Sequence, residues 1–312
     1  MRKIAMMACP LLLMSSLFSM VTMLTRQESR NPGLNVRNLY TTDSISVNGV
    51  DYKFRKIGLG SPTTIPLILL NHTRGNLDSW DPELLHTLAK HRTVVTFNNK
   101  GVASSTGKTP ETFKSMADDA YEFIKAMGYK KVDILGFSIG GCVAQELLVY
   151  HPEIIRKAIL AGTAPKGAES INQRNPKIVE IVTAPSLGMD GFLKLFFTQS
   201  AQSQKLGKEF WQRRSHNGYA PDSPVNRASA ASQAIARSRW GSDKLDTATY
   251  HAINTPVLVA NGKDDIMMPT ENSFTLFKLL PNAQLNLYPD SGHGFLFQNP
   301  KIVGTDFIRF LE

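Results

Sequence analysis

The sequence predicts an α/β protein, a mostly parallel sheet with helices on both faces and a long helical insertion. Three observations predict it. Strand-like apolar runs recur at 66–70, 93–97, 131–135, 157–162, 256–260 and 284–288. Helix-like stretches separate them, and alternation of the two makes βαβ units with parallel pairing. Between residues 163 and 254 the buried-strand runs stop, and short helices with polar loops take their place.

The elements follow in order. Met1-Arg2-Lys3 precedes an uncharged, mostly apolar segment, 4–24, and the polar Thr25-Arg26-Gln27-Glu28-Ser29-Arg30. Basic residues, apolar run and polar exit read as a secretory signal or a retained signal-anchor, residues 1–30, and predict an exported (periplasmic or secreted) or membrane-anchored protein. Roughly 21 residues are about enough to span a bilayer. Asn48-Gly49 between 44–47 and 52–57 is a hairpin signal. After the run 66–70 come a loop and a helix over 82–90, then the run 93–97. Pro110 is expected to open the next helix, whose apolar Phe113, Met116, Ala117, Ala120, Ile124 and Met127 recur at three and four residues, and Gly128 closes it. An amphipathic helix over 299–311 completes the chain. The core is thus 31–162 with 255–312, and the insertion is 163–254.

A chain of 312 residues, 42% hydrophobic, can bury one large core with an inserted subdomain. Its two cysteines, Cys9 and Cys142, offer no internal disulfide framework once the first lies in the export segment. The net charge of +9 comes as scattered pairs such as Lys130-Lys131 and Arg213-Arg214, without aromatic interleaving, so no nucleic-acid partner is expected. The insertion carries 12 Lys and Arg against 7 Asp and Glu, a surplus of five. That surplus fits either solvated faces or a bias toward acidic substrates.

One stretch carries chemistry. The run 131–135 leads straight into Gly136-Phe137-Ser138-Ile139-Gly140-Gly141 and then a helix. A strand ending in Gly-x-Ser-x-Gly before a helix reads as a nucleophile elbow, with glycines where the backbone leaves no room for side chains. The helix N-terminus favours negative charge at the same point. The blander reading is a Gly-flanked turn whose serine caps a helix. In an open α/β sheet the carboxyl ends of the strands form the binding crevice. Asp265, in Asn261-Gly262-Lys263-Asp264-Asp265, and His293, in Ser291-Gly292-His293-Gly294, follow two later strands, in the order Ser…Asp…His. Their blander readings are a helix N-cap before Pro269 and a loop histidine beside glycines.

These motifs make residues 45–312 resemble the α/β-hydrolase superfamily, in particular its capped serine esterases and haloperoxidase-like hydrolases. Family members commonly read Gly-x-x-Asp-x-x-x-Pro after the seventh strand, which lands on Gly262, Asp265 and Pro269, and Gly-His before the last helix, which lands on Gly292-His293. The resemblance implies Ser138 as nucleophile, His293 as base and Asp265 as its orienting acid. It implies an oxyanion hole from the N–H groups of Ile139 and Arg74, the latter because Asn71-His72-Thr73-Arg74 stands where relatives carry His-Gly-x. Thr73 in place of glycine departs from the pattern, as do Asn98 where relatives carry Asp and Ala103 where they carry Gly.

The expected activity is acyl-enzyme cleavage of a small carboxylic ester or related acyl compound, with no cofactor and no metal. A non-catalytic small-molecule binder at the membrane is the alternative, should Thr73 distort the oxyanion hole. Phe192, Leu195, Phe196, Phe197 and Trp211 are expected either to line an acyl pocket or to form the core of the insertion.

Overall fold

The computed structural model describes residues 41–58, 60, 64–184, 187–215 and 220–312. The segment 4–24, and with it the expected export or anchor function, lies outside the described residues. Among the described residues no helix is long and apolar enough to cross a membrane.

Eight strands form one sheet. They are β1 (Thr42–Val47), β2 (Val50–Ile57), β3 (Leu67–Leu70), β4 (Val94–Phe97), β5 (Val132–Phe137), β6 (Ile155–Ala161), β7 (Val257–Gly262) and β8 (Ala283–Tyr288). Their order is β1-β2-β4-β3-β5-β6-β7-β8. The β1–β2 and β2–β4 pairs are antiparallel and all others parallel. At the β1–β2 turn both Asn48 (φ 50°) and Gly49 (φ 77°) are left-handed, as a two-residue hairpin whose twist matches its strands requires.

The central strands are mostly apolar because both faces are covered. Ile68, Leu70, Ile134, Leu160 and Val259 enter one hydrophobic cluster, while Leu67, Leu69, Leu135, Ile159 and Leu258 enter another on the opposite face. The first cluster takes in α2 (Phe113–Ala126) and α3 (Ile139–Tyr150). The second takes in α1 (Pro82–Ala89) and α11 (Pro300–Leu311). The alternation of side chains along each strand thus sorts the helices into two layers.

Helix α2 begins at Phe113 rather than at the expected Pro110. The side chain of Thr112 accepts from Ser115 N and sets the start. Between β6 and β7 run α4 (Pro176–Thr183), α5 (Gly188–Phe196), α6 (Ala201–Ser215), α7 (Arg227–Ser242) and α8 (Thr247–His251). Two of these are long, 15 residues for α6 and 16 for α7, where short helices were expected. The remaining helices are α9 (Glu271–Leu279) and α10 (Phe295–Gln298).

At the N-terminal end of β5, the carboxylate of the fully buried Asp133 accepts from Arg92 Nη1 (2.6 Å) and Arg156 Nε (2.9 Å). Both guanidiniums also reach Leu311 O. The last helix is thereby tied to the middle of the sheet.

Candidate active site

Ser138 stands between β5 and α3 with φ 58° and ψ −121°, a conformation that a non-glycine residue adopts only where its surroundings impose it. Two glycines allow the turn. A Cβ on Gly136 would stand 2.4 Å from Gly140 O, and one on Gly140 would stand 2.1 Å from Leu70 O. The strand therefore runs into the helix at a separation that only bare backbone permits. Ser138 N–H is held by Ala161 O at 2.9 Å. The Ser138 hydroxyl makes no hydrogen bond among the described residues, and the residue lines a cavity of about 1050 Å³.

His293, on the loop after β8, lines the same cavity. Its Nδ1 lies 2.7 Å from Asp265 Oδ2, and both side chains are buried. Asp265 is fixed in turn, because its Oδ1 accepts from Met267 N (2.7 Å) and Met268 N (2.9 Å). With the carboxylate so committed, Nδ1 carries the proton and Nε2 is left as the acceptor. The imidazole is packed between Phe137 (ring centroids 4.9 Å apart) and Phe196 (5.1 Å). Asp264, by contrast, is exposed.

The loop after β3 departs from expectation. Gly75 N–H closes a turn onto His72 O (3.0 Å), with Arg74 at φ 58°. That conformation sends Arg74 N–H to Gln233 Oε1 on α7, at 2.8 Å. The group expected to serve the oxyanion hole is therefore already bonded. Thr73 N–H is the donor in this turn with no hydrogen-bond partner among the described residues, and Thr73 lines the cavity beside Ser138. Ile139 N–H, at the start of α3, is likewise without a partner there. Sequence reasoning marked Thr73 as a departure in this loop but missed Gln233, because a backbone N–H has no side-chain signature and its direction follows from a turn dihedral.

His72 fixes this loop. Its Nδ1–H donates to Thr73 O at 2.9 Å, and its ring lies edge-on to Phe137 and Phe196. Burial pushes its pKa down to about 3, so the ring is neutral at ordinary pH. The other departures are absorbed locally. Ala103 sits at φ 51°, where relatives carry glycine, and Asn98 donates to Ser104 Oγ and Asp222 Oδ2.

The insertion supplies the roof. Phe192, Leu195, Phe196 and Trp211 line the cavity while Phe192, Leu195 and Phe196 are also buried against one another, so the same aromatics are both pocket wall and core. Phe197 belongs to the packed side alone. Helix α7 is pinned to the core by a hydrogen-bonded stripe: Ser229 Oγ to Gly101 O, Gln233 to Arg74 N–H, and Trp240 Nε1 to Ala164 O at 3.2 Å. Cys142, buried beneath the elbow, has its thiol pushed up to about 12 by burial.

Known proteins resemble this chain in sequence and fold. A family model described as the alpha/beta hydrolase fold matches residues 66–300. An alpha/beta hydrolase fold protein from Chitinophaga pinensis is 36% identical, with a TM-score of 0.82 over 88% of this chain and 98% of its own. A poly(3-hydroxyalkanoate) depolymerase of Ectopseudomonas oleovorans is 27% identical over 81% of this chain and 86% of its own. A putative carbamate hydrolase, RutD, of Agrobacterium fabrum is 25% identical over 79% of this chain and 93% of its own.

Proposed function

As a member of the α/β-hydrolase fold family this chain is a hydrolase, and we propose that it is a serine hydrolase that cleaves a carboxylic ester or related acyl compound through an acyl-enzyme. The observation that carries the reading is the buried His293–Asp265 pair, 2.7 Å apart, opening on the same cavity as Ser138 at its left-handed elbow. Ser138 Oγ attacks the substrate carbonyl while His293 Nε2 takes its proton. The hydroxyl comes to His293 as the substrate closes the site, since catalytic hydrogen bonds are often loose in its absence. Asp265 holds the ring in the tautomer that can accept, and stabilises the imidazolium. The oxyanion is held by Ile139 N–H and, in place of the expected Arg74, Thr73 N–H. His293 then returns the proton to the leaving group, and water attacks the acyl-enzyme by the same route in reverse. The names of the relatives, a carbamate hydrolase and a polyester depolymerase, both concern acyl bonds and support that class.

The test is labelling of the folded protein by a fluorophosphonate probe, beside Ser138→Ala and His293→Ala. Labelling that disappears in both variants supports an activated serine. A folded wild type that takes no label overturns the proposal and leaves small-molecule binding as the function of the cavity.

A further inference from the structure

The floor of the cavity accounts for acyl chemistry but not for its charge. Four arginines of the insertion, Arg174, Arg214, Arg227 and Arg237, line the cavity; Arg227 is exposed to solvent, and none of the other three forms an ion pair or hydrogen bond among the described residues. Arg214 has another partner, because its guanidinium lies 4.9 Å from the Trp211 ring centroid and 5.8 Å from that of Phe192. Arg174 and Arg237 have no such contact among the described residues. The Nε of each is buried without a hydrogen-bond acceptor.

The fold sets these two side by side. Asn172 Nδ2 donates to Ser238 O (3.1 Å) and Ser242 Oγ (2.9 Å), which ties the chain just before α4 to the last turns of α7. Arg174 follows two residues later. Arg237 lies one turn beyond Gln233, on the stripe of α7 that faces the cavity. Arg174 also feels the negative charge of Asp265. Burial, and then the positive charge of Arg237, hold Arg174 down to about 10. Two half-buried guanidiniums of like charge, with unused donors, cost free energy until an anion meets them. The acidic residues lining the cavity do not fill that role. Asp78 is bound to Arg55 at 2.7 Å, and Asp222 accepts from Asn98 and Ser104.

We propose that Arg174 and Arg237 form an anion subsite, and that the substrate is an acyl compound bearing a carboxylate remote from the scissile carbonyl. The proposal deepens the hydrolase reading and rests on it for the word substrate, though the anion site itself does not. Planar guanidinium donors suit a carboxylate, which they can bind through paired N–H groups. Phe192, Leu195 and Phe196 then enclose the apolar part between the carboxylate and the ester.

The test has two arms. In the kinetic arm, kcat/KM is measured for p-nitrophenyl hydrogen adipate and for its neutral counterpart of equal chain length, p-nitrophenyl hexanoate. The alcohol side is probed with 4-acetoxybenzoate and 4-acetoxytoluene. Intrinsic ester reactivity cancels when the anionic-to-neutral ratio of each variant is divided by that of the wild type. In at least one series Arg174→Gln and Arg237→Gln are expected to lower the ratio about tenfold each, the scale of one charge-assisted hydrogen bond. Arg237→Lys is expected to recover part of the loss, and added salt to shrink the wild-type ratio. Ratios unchanged in both series overturn the subsite.

The binding arm needs no turnover. Monomethyl adipate is titrated calorimetrically into Ser138→Ala and into the same protein carrying Arg174→Gln and Arg237→Gln, with thermal melts checking that both fold. Heat of binding present in the first and lost in the second supports the subsite. Equal binding, or none in either, overturns it. Failure of fluorophosphonate labelling with this binding intact removes only the hydrolase reading.

Discussion

Replacing Asp265 by Asn isolates one property, the proton on His293. The substitution is nearly isosteric. The amide oxygen of the new side chain can still accept from Met267 N–H and Met268 N–H, so the loop stays where two backbone donors hold it. The amide NH2 then faces His293 Nδ1 across what was a 2.7 Å contact between donor and acceptor. Two donors cannot share that contact. The imidazole must move its proton to Nε2, the nitrogen meant to receive the proton from Ser138, and the base is lost while the geometry remains. In a buried pair with no second acceptor bonded to Nδ1 among the described residues, the expected fall in kcat is about 10⁴-fold, or about 5 kcal/mol of transition-state stabilisation. The assay is steady-state hydrolysis of a p-nitrophenyl ester together with the rate of fluorophosphonate labelling, with a thermal melt to show that the protein folds. A folded Asp265→Asn variant within tenfold of the wild type in both assays would refute the reasoning, because it would mean that His293 does not depend on this carboxylate for its tautomer.

Other consequences follow from the same contacts. Asp133→Asn strips the buried carboxylate from between Arg92 and Arg156, and the stranded guanidiniums should cost about 3–5 kcal/mol in urea unfolding; a loss under about 1 kcal/mol would show that Leu311 O and solvent suffice. Gly140→Ala puts a methyl 2.1 Å from Leu70 O, a backbone atom that cannot move without β3. The expected outcome is about 3 kcal/mol or more of destabilisation with loss of labelling, and a stable, labelled variant would contradict it. His72 predicts a pH dependence. Its folded pKa, about 3, lies below its unfolded value near 6.5. In that window the unfolded chain binds the extra proton, so this contribution to stability is whole above about pH 6.5 and is lost as pH falls toward 3. The melting temperature of His72→Gln should therefore fall less steeply than that of the wild type between those pH values. Parallel slopes would show that the fall comes from carboxylates elsewhere.

What could be read from the sequence follows from how each feature is held. The sheet was legible because strands covered on both faces are dominated by apolar residues, as in 67–70 and, Asp133 apart, 132–137, and the elbow because its close approach demands glycine at 136 and 140. The start of α2 was misplaced by three residues because the signal read was Pro110, whereas the N-cap is made by the side chain of Thr112. Helices α6 and α7 came out longer than expected because little apolar periodicity announces them. Helix α7 is fastened by Ser229, Gln233 and Trp240 through hydrogen bonds whose partners lie up to 159 residues away. The Arg74 expectation meets a competing contact set at the level of a dihedral. Position in a motif says which residue is near the oxyanion, while the left-handed φ of Arg74 decides that its own N–H turns to Gln233.

The surplus of positive charge in the insertion shows why composition needs pairing before it carries chemistry. Counted in sequence, its basic residues are equivalent, and a solvated surface accounts for them. In the structure they divide. Lys166 meets Glu146 at 2.8 Å, Arg213 meets the buried Asp81 at 2.6 Å, and Arg239 meets Glu111 at 3.2 Å, so each is consumed in holding the insertion to the core. Arg214 is covered by aromatic rings. After those subtractions Arg174 and Arg237 are the cavity-lining guanidiniums of intermediate exposure that answer to no partner among the described residues, with a buried Nε apiece. A surface arginine without a partner is satisfied by water and needs no explanation. Two that line one largely apolar cavity with a buried Nε apiece are another matter, since a ligand that brings negative charge would offset their desolvation.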